Sequence, residues 1–251
     1  MSLVNWTEVN GNLLILLLSA APPKIVNGTD AKEGEIPYIV SVRYIRLHTC
    51  GGSIINENNI LTAAHCMDSG KYTVQYGLLE ISSDYTNSID IEKVFTHEEY
   101  NPSKNHINDV AVLRLASAIR LDNANLKPVT LPSQGEAAPD GEWAVLAGWG
   151  SSKTGGGVMK HLQRVNILVY SPDDCKAAHG NNVDERHHIC AGVPEGWKGQ
   201  CSGDSGGPFV ANGKQVGIVS WSVKPCAVVG YPGVLARVAS YHDWISAKVN
   251  S

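Results

Sequence analysis

The chain has 251 residues, 43% of them hydrophobic and 18% charged, a balance that excludes a disordered or coiled-coil protein. Its formal net charge of −4 is too small to argue for a nucleic acid or an anionic membrane as partner, and no basic run, low-complexity tract or internal repeat alters that. Gly is abundant at 25 and Phe scarce at 2, which suits a turn-rich, mostly β chain.

At the N-terminus, Leu13-Leu14-Ile15-Leu16-Leu17-Leu18 is a short apolar run followed by the small residues Ser19, Ala20 and Ala21. The run is too short to span a bilayer and reads as the apolar core of a secretory signal over residues 1–21. It departs from the usual pattern in two respects. No Lys or Arg precedes it, and Pro22 follows it.

From Ile25 onward, β-patterned segments such as 39–44, 110–115 and 215–221 alternate with turn signals. The turns include Asn101-Pro102, Pro139-Asp140-Gly141 and Gly155-Gly156-Gly157. Strands arrive too often for βαβ crossovers, so a sandwich or barrel is expected. Near the C-terminus the period lengthens. Val238, Tyr241, Ile245 and Val249 fall three or four apart and predict a helix with one apolar face.

Six cysteines, Cys50, Cys66, Cys175, Cys190, Cys201 and Cys226, form an even set without a CxxC pair, as in a disulfide-bonded protein of an oxidising compartment. Their spacing alone leaves the pairing open. His187, His188 and Cys190 lie close together, but they match no common zinc pattern.

Three motifs carry chemistry: Leu61-Thr62-Ala63-Ala64-His65-Cys66, Asn108-Asp109-Val110-Ala111-Val112-Leu113 and Gly203-Asp204-Ser205-Gly206-Gly207-Pro208. A serine hydroxyl is a poor nucleophile until a base takes its proton, and that base must be oriented by a carboxylate. The chain supplies a candidate for each role in the order His, Asp, Ser. These motifs in this order resemble the chymotrypsin/trypsin family, and differ in order from subtilisins and α/β-hydrolases. Gly203-Asp204-Ser205-Gly206-Gly207 fits a Gly-x-Ser-x-Gly elbow only in spacing, because its surroundings are β-rich and the order of the three residues is wrong.

The resemblance covers nearly all of residues 25–251 and implies an all-β fold of two six-stranded antiparallel barrels with a C-terminal helix. The first barrel would span about 25–131, the second about 132–238, joined near Leu131-Pro132, and the helix about 239–250. It implies Ser205 as nucleophile, His65 as base and then acid, and Asp109 as the group that fixes the histidine tautomer. The backbone N–H groups of Gly203 and Ser205 would hold the developing oxyanion. The disulfides implied are Cys50–Cys66, Cys175–Cys190 and Cys201–Cys226.

Lys24-Ile25-Val26-Asn27-Gly28 resembles the family's activation junction. Cleavage after Lys24, ending the short activation peptide 22–24, would free the Ile25 amine to pair with Asp204. Asn27 stands where Gly is commoner, and Asn tolerates the same left-handed backbone. Asn27-Gly28-Thr29 is also a glycosylation sequon. Ser41 and His48 match positions that hold the aspartate before activation, so Asp204 would exchange His48 for the amine.

Matching the flanking cysteines places Gly199 at the base of the substrate pocket, where trypsin-like members have Asp. Gln200 lies beside it, with Ser220, Trp221, Ser222 and Gly233 on the walls. Two small wall residues imply an open slot for an apolar or aromatic P1 residue. Small or medium aliphatic P1, as in elastase- or collagenase-like members, is the alternative, because Gln200 would shorten the slot. His106 would border the neighbouring subsite. No cofactor or metal is implied, since Gly77-Leu78-Leu79-Glu80 lacks the carboxylate that begins the family's calcium loop. The implied product is a secreted, extracellular, monomeric serine endopeptidase made as a zymogen. Its partners would be protein or peptide substrates, a separate trypsin-like activating protease and protein inhibitors. A catalytically silent homologue that binds through the same cleft is the competing reading.

Overall fold

The structure is a computed structural model that describes residues 25–122 and 125–251. The expected signal segment 1–21 and activation peptide 22–24, Lys24 included, lie outside the described residues. The exception is the backbone of two short paired strands, β1 (Glu8–Val9) and β2 (Asn12–Leu13). Among the described residues no helix is long and apolar enough to cross a membrane.

Apolar side chains alternate or run together over short stretches, and these stretches become strands that bury one face. Six of them, β4 (Ile39–Tyr44), β5 (Leu47–Asn56), β6 (Asn59–Thr62), β7 (Tyr72–Tyr76), β8 (Ser88–Thr96) and β9 (Ala111–Leu115), close a barrel in the order β4-β5-β6-β9-β8-β7. Val40, Val42, Ile54, Ile60, Leu61, Val112 and Leu113 fill its interior.

A second barrel uses β10 (Trp143–Gly148), β11 (Gln163–Tyr170), β12 (His188–Gly192), β13 (Pro208–Ala211), β14 (Lys214–Trp221) and β15 (Gly233–Arg237). Their order is β10-β13-β14-β15-β12-β11, and β10 pairs with β11 to close it. In β11, Val165, Ile167 and Val169 point inward while Arg164 and Asn166 point away, the period of a half-buried strand. The short strand β3 (Thr29–Asp30) pairs with β11, and Ile25 is wholly buried in the second core. The start of the 25–251 unit therefore packs with the second barrel, although the first was expected to begin there.

The chain crosses between barrels near the expected place. The Val129 N–H donates to Ile54 O at 2.9 Å, while Thr130 O accepts from the Gln215 N–H at 2.9 Å. A buried hydrogen bond from Ser53 Oγ to Gln215 Oε1, 2.6 Å, also links β5 to β14. Pairing these groups matters because a buried polar atom left alone costs about 1–3 kcal/mol.

The C-terminal periodicity becomes a 3₁₀ turn at Val238–Ser240 followed by α2 (His242–Val249). Val238, Tyr241 and Ile245 pack into the first barrel's core, so the last element clamps the barrel that comes first in sequence. Each such buried side chain contributes roughly 1.5–3 kcal/mol. A second helix, α1 (Pro172–His179), was not foreseen. Its signals are Ser171, whose hydroxyl caps the Asp174 N–H at 3.1 Å, and Pro172 at the first helical position.

All three implied disulfides are present: Cys50–Cys66, Cys175–Cys190 and Cys201–Cys226. Each stabilises by about 2–4 kcal/mol, chiefly by restricting the unfolded chain.

Candidate active site

Strand pairing brings the first two candidate groups together. β6 and β9 pair antiparallel with Thr62 opposite Ala111. His65, just past the end of β6, and Asp109, just before β9, therefore emerge side by side. His65 sits on a 3₁₀ turn (Ala64–Cys66) anchored by the Cys50–Cys66 disulfide. Asp109 follows Asn108, whose left-handed backbone (φ 61°) is braced by a 2.9 Å bond from Asn108 Nδ2 to Glu99 O.

The His65 Nδ1 to Asp109 Oδ2 distance is 2.7 Å, and the His65 N–H donates to Asp109 Oδ1 at 2.9 Å. Ser220 adds a short hydrogen bond from its hydroxyl to Oδ2. Asp109 is completely buried, which by itself raises its pKa. The bonds from His65 and Ser220 and the nearby imidazole outweigh burial and hold the carboxyl below its ordinary range. The carboxylate is thus charged and holds the ring with Nδ1 carrying the proton that faces it. That leaves Nε2 as the basic atom.

Ser205 approaches the same cleft from the second barrel. Its carbonyl accepts from the Gly51 N–H at 2.7 Å, and the Thr62 hydroxyl donates to Gly51 O at 2.8 Å. Gly206, with φ 75°, lies so close to this strand that a Cβ would fall 2.2 Å from Thr62 Oγ1. Only glycine lets the serine turn press against the segment that leads to His65. Among the described residues no hydrogen bond joins Ser205 Oγ to His65 Nε2. Such bonds commonly tighten only when substrate is bound.

Neither the Gly203 nor the Ser205 N–H has a hydrogen-bond acceptor among the described residues. Both are available to an incoming oxyanion. The Gly203 carbonyl is held from behind by His48 Nε2 at 2.9 Å, and Ser41 Oγ lies 2.8 Å from His48 Nδ1. A carbonyl only accepts, so His48 donates through Nε2 and takes the Ser41 proton at Nδ1. Burial, then the positive charge of Arg43, pushes His48 down to about 4, against the Gly203 carbonyl, so the ring is neutral.

Of the trio Ser41, His48 and Asp204, the structure therefore joins the first two, and the Gly203 carbonyl takes the place expected for the Asp204 carboxylate. Asp204 instead accepts from the Gly150 N–H (2.8 Å) and the Cys201 N–H (2.9 Å). It is completely buried, and among the described residues no cation lies within ion-pairing distance. Desolvation pushes its pKa up to about 7, opposed by those two N–H groups and by Lys224. Gly148 and Gly150 are essential to this seat, since a Cβ on either would lie within 2.4 Å of the Asp204 carboxyl group. Reading the sequence missed both, although Gly148-Trp149-Gly150 is itself a visible signal.

The expected activation junction ends beside the expected substrate pocket. Val26 bridges Gly199, and Asn27 takes the left-handed backbone (φ 58°) that makes it a fair substitute for Gly. The pocket is narrower than two small wall residues suggested. Gln200 folds across it, donating from Nε2 to Trp221 O at 2.8 Å and filling the space beside Gly233, whose Cβ would meet Gln200 Cδ at 2.7 Å. About 10 Å³ of free space remains between Gly199, Gln200, Ser222, Ala227 and Gly233. Among the described residues, the lining includes Lys198 and no carboxylate. The cavity of about 690 Å³ beneath α1 contains none of the three candidate catalytic residues.

The family model described as Trypsin matches residues 25–245. Trypsin-1 of Astacus astacus is 37% identical over 240 residues, covering 89% of this chain and 99% of that protein. Trypsin II-P29 of Gallus gallus is 37% identical over 231 residues, covering 90% of this chain and 89% of its own length. Trypsin Blo t 3 of Blomia tropicalis is also 37% identical over 231 residues, with 89% and 85% covered.

Proposed function

The chain belongs to the trypsin family and is a serine endopeptidase, and we propose that it is a secreted, zymogen-derived member that cleaves after uncharged residues. The observation that carries the catalytic assignment is the 2.7 Å contact between His65 and the buried Asp109 carboxylate. Ser205 Oγ attacks the peptide carbonyl as His65 Nε2 takes its proton. The Gly203 and Ser205 N–H groups receive the oxyanion, and His65 then passes the proton to the departing amine. Water repeats the sequence on the acyl-enzyme. A silent homologue has no use for an oriented imidazole and two unengaged oxyanion donors.

The P1 reading departs from the relatives that are named trypsins. Tryptic selection needs a carboxylate at the pocket base, and here Gly199 stands there with Lys198 in the lining. Between the two uncharged choices, the Gln200 amide lying across the slot favours small or medium aliphatic P1 over aromatic P1.

Such a pocket does not cleave after Lys24, so a separate trypsin-like protease is the activator. Cleavage supplies the Ile25 ammonium that the buried Asp204 carboxylate lacks. The three disulfides suit an extracellular monomer, exposed there to protein inhibitors. The test is to treat the purified protein with trypsin, label it with a fluorophosphonate and profile a mixed peptide library. Labelling at Ser205 with cleavage after Ala, Val or Leu is expected. Cleavage confined to Lys and Arg sites would refute the pocket assignment, and an unlabelled Ser205 the catalytic one.

A further inference from the structure

A second histidine stands beside the proposed base. The rings of His65 and His106 are 5.6 Å apart and meet edge to face. One ligand atom from each ring and one Asp109 oxygen all lie within 4.8 Å of one another. The loop is bent to achieve this, with Asn105, His106 and Asn108 all in the left-handed region (φ 51°, 57° and 61°). A non-glycine residue rarely adopts that conformation, and a run of them marks a constrained segment.

Each ring already has one nitrogen anchored. His65 Nδ1 is bonded to Asp109, and His106 Nδ1 lies 2.9 Å from the Tyr100 hydroxyl. A carboxylate or hydroxyl behind the far nitrogen is how metal-binding imidazoles are oriented, with the opposite nitrogen as ligand. The remaining nitrogens are both Nε2. Among the described residues, that of His65 meets only the Cys66 sulfur at 3.9 Å, and this sulfur is tied up in a disulfide. Zinc–nitrogen bonds of about 2.0–2.1 Å keep two ligands on one ion within about 4.2 Å. With the ring centroids 5.6 Å apart, rotation of the imidazoles must bring the two Nε2 atoms into that span.

We propose that His65 and His106 together bind a zinc-type divalent cation, and that occupancy of this site reversibly shuts off the peptidase. This rests on the peptidase reading above. Imidazole nitrogens select Zn²⁺, Cu²⁺ or Ni²⁺ over Ca²⁺ and Mg²⁺, which require several oxygens. The inhibitory logic is direct: the lone pair that zinc takes on His65 is the one that accepts the Ser205 proton. Asp109 stays behind His65 as the orienting carboxylate.

The test pairs calorimetry of zinc chloride binding to the trypsin-activated protein with hydrolysis of a P1-Ala peptide. Zinc should bind and inhibit over the same concentration range, chelation by EDTA should restore activity, and Mg²⁺ should do neither. His106→Gln should weaken both zinc binding and inhibition by about tenfold or more. Equal zinc affinity in wild type and His106→Gln overturns the site. Should that variant fail to fold, Co²⁺ on the wild-type protein decides the matter, since absence of a visible absorption band from nitrogen ligation also overturns it. A protein that binds zinc through His106 yet cleaves nothing retains the site and loses the peptidase reading.

Discussion

Asp204 and Gly150 are interlocked: the Gly150 N–H donates to Asp204 Oδ1 at 2.8 Å, and the place of the missing Gly150 side chain is taken by the carboxyl group. The backbone N–H groups of Gly203 and Ser205 flank Asp204, so the seat of its carboxylate governs where the oxyanion donors point. Gly150→Ala puts a Cβ 2.3 Å from Asp204 Cγ, so the buried carboxyl must shift and give up its hydrogen bonds to the Gly150 and Cys201 N–H groups. Overpacking of this kind costs about 1–3 kcal/mol of stability. Losing the donor geometry costs on the order of 10²–10³ in turnover. Thermal unfolding and kcat of the activated variant check both. Near-wild-type kcat would show that the carboxylate seat does not organise the site.

The unpaired Asp204 gives the uncleaved chain a distinctive pH response. Its folded pKa is raised to about 7 by burial, above an unfolded value of about 3.9. Between those values the unfolded chain releases a proton that the folded chain retains, so stability falls as pH rises through that window. If cleavage delivers the Ile25 ammonium to this carboxylate, as proposed above, the pair removes the penalty. That benefit fades again in alkali as the amine deprotonates. The Tm advantage of mature protein over an uncleavable Lys24→Gln precursor should therefore widen between about pH 4 and pH 7. A difference of about 1 kcal/mol appears as roughly 2–4 °C in a chain of this size. A gap constant across that range contradicts the assignment.

Much of this was legible because catalysis constrains short, local strings. His65, Asp109 and Ser205 each sit in a motif whose neighbours serve the same purpose, such as Thr62, which braces Gly51, and Gly206, which fits beneath it. Strand periodicity pointed only to a sandwich or barrel, the two six-stranded barrels came from the resemblance, and the last helix was legible from Val238, Tyr241, Ile245 and Val249. What escaped was set by long-range packing. Nothing local in Thr29–Asp30 says that it pairs with β11 across the molecule. The Gln200 side chain has several rotamers, and only the placement of the Trp221 carbonyl and Gly233 selects the one that closes the slot. Ser220 was expected only on the pocket wall, and its hydroxyl proves to face Asp109.

Ser220 therefore separates orientation from charge at Asp109. Ser220→Ala removes one hydrogen bond to a buried carboxylate, worth about 1.5–3 kcal/mol, while leaving His65 bonded. If that energy is realised in the transition state, kcat falls by about 10–100-fold. Asp109→Asn removes the charge and the tautomer control together and should cost about 10⁴. Steady-state kinetics on one P1-Ala peptide ranks the two. An equal loss in both variants would mean that Ser220 acts on the substrate instead of the carboxylate.

Gln200 is the residue on which P1 size depends. Its side chain is buried, its Nε2 is held by the Trp221 carbonyl, and its Oε1 has no partner among the described residues. Moving it aside to admit a ring breaks that hydrogen bond and strands a buried amide, a cost of about 1–3 kcal/mol. Small P1 side chains avoid the cost. Gln200→Ser removes the obstruction and leaves Gly199, Ser222 and Gly233 as an open slot. The ratio of kcat/KM for Phe over Ala at P1 should then rise by roughly 10–100-fold, the amount that this energy supports. The same substitution should leave P1 Arg poor, because it adds no carboxylate. Gly199→Asp in the Gln200→Ser background should restore cleavage after Arg and Lys. An unchanged Phe/Ala ratio in Gln200→Ser means that the amide already swings clear at no cost, and aromatic P1 becomes the natural substrate.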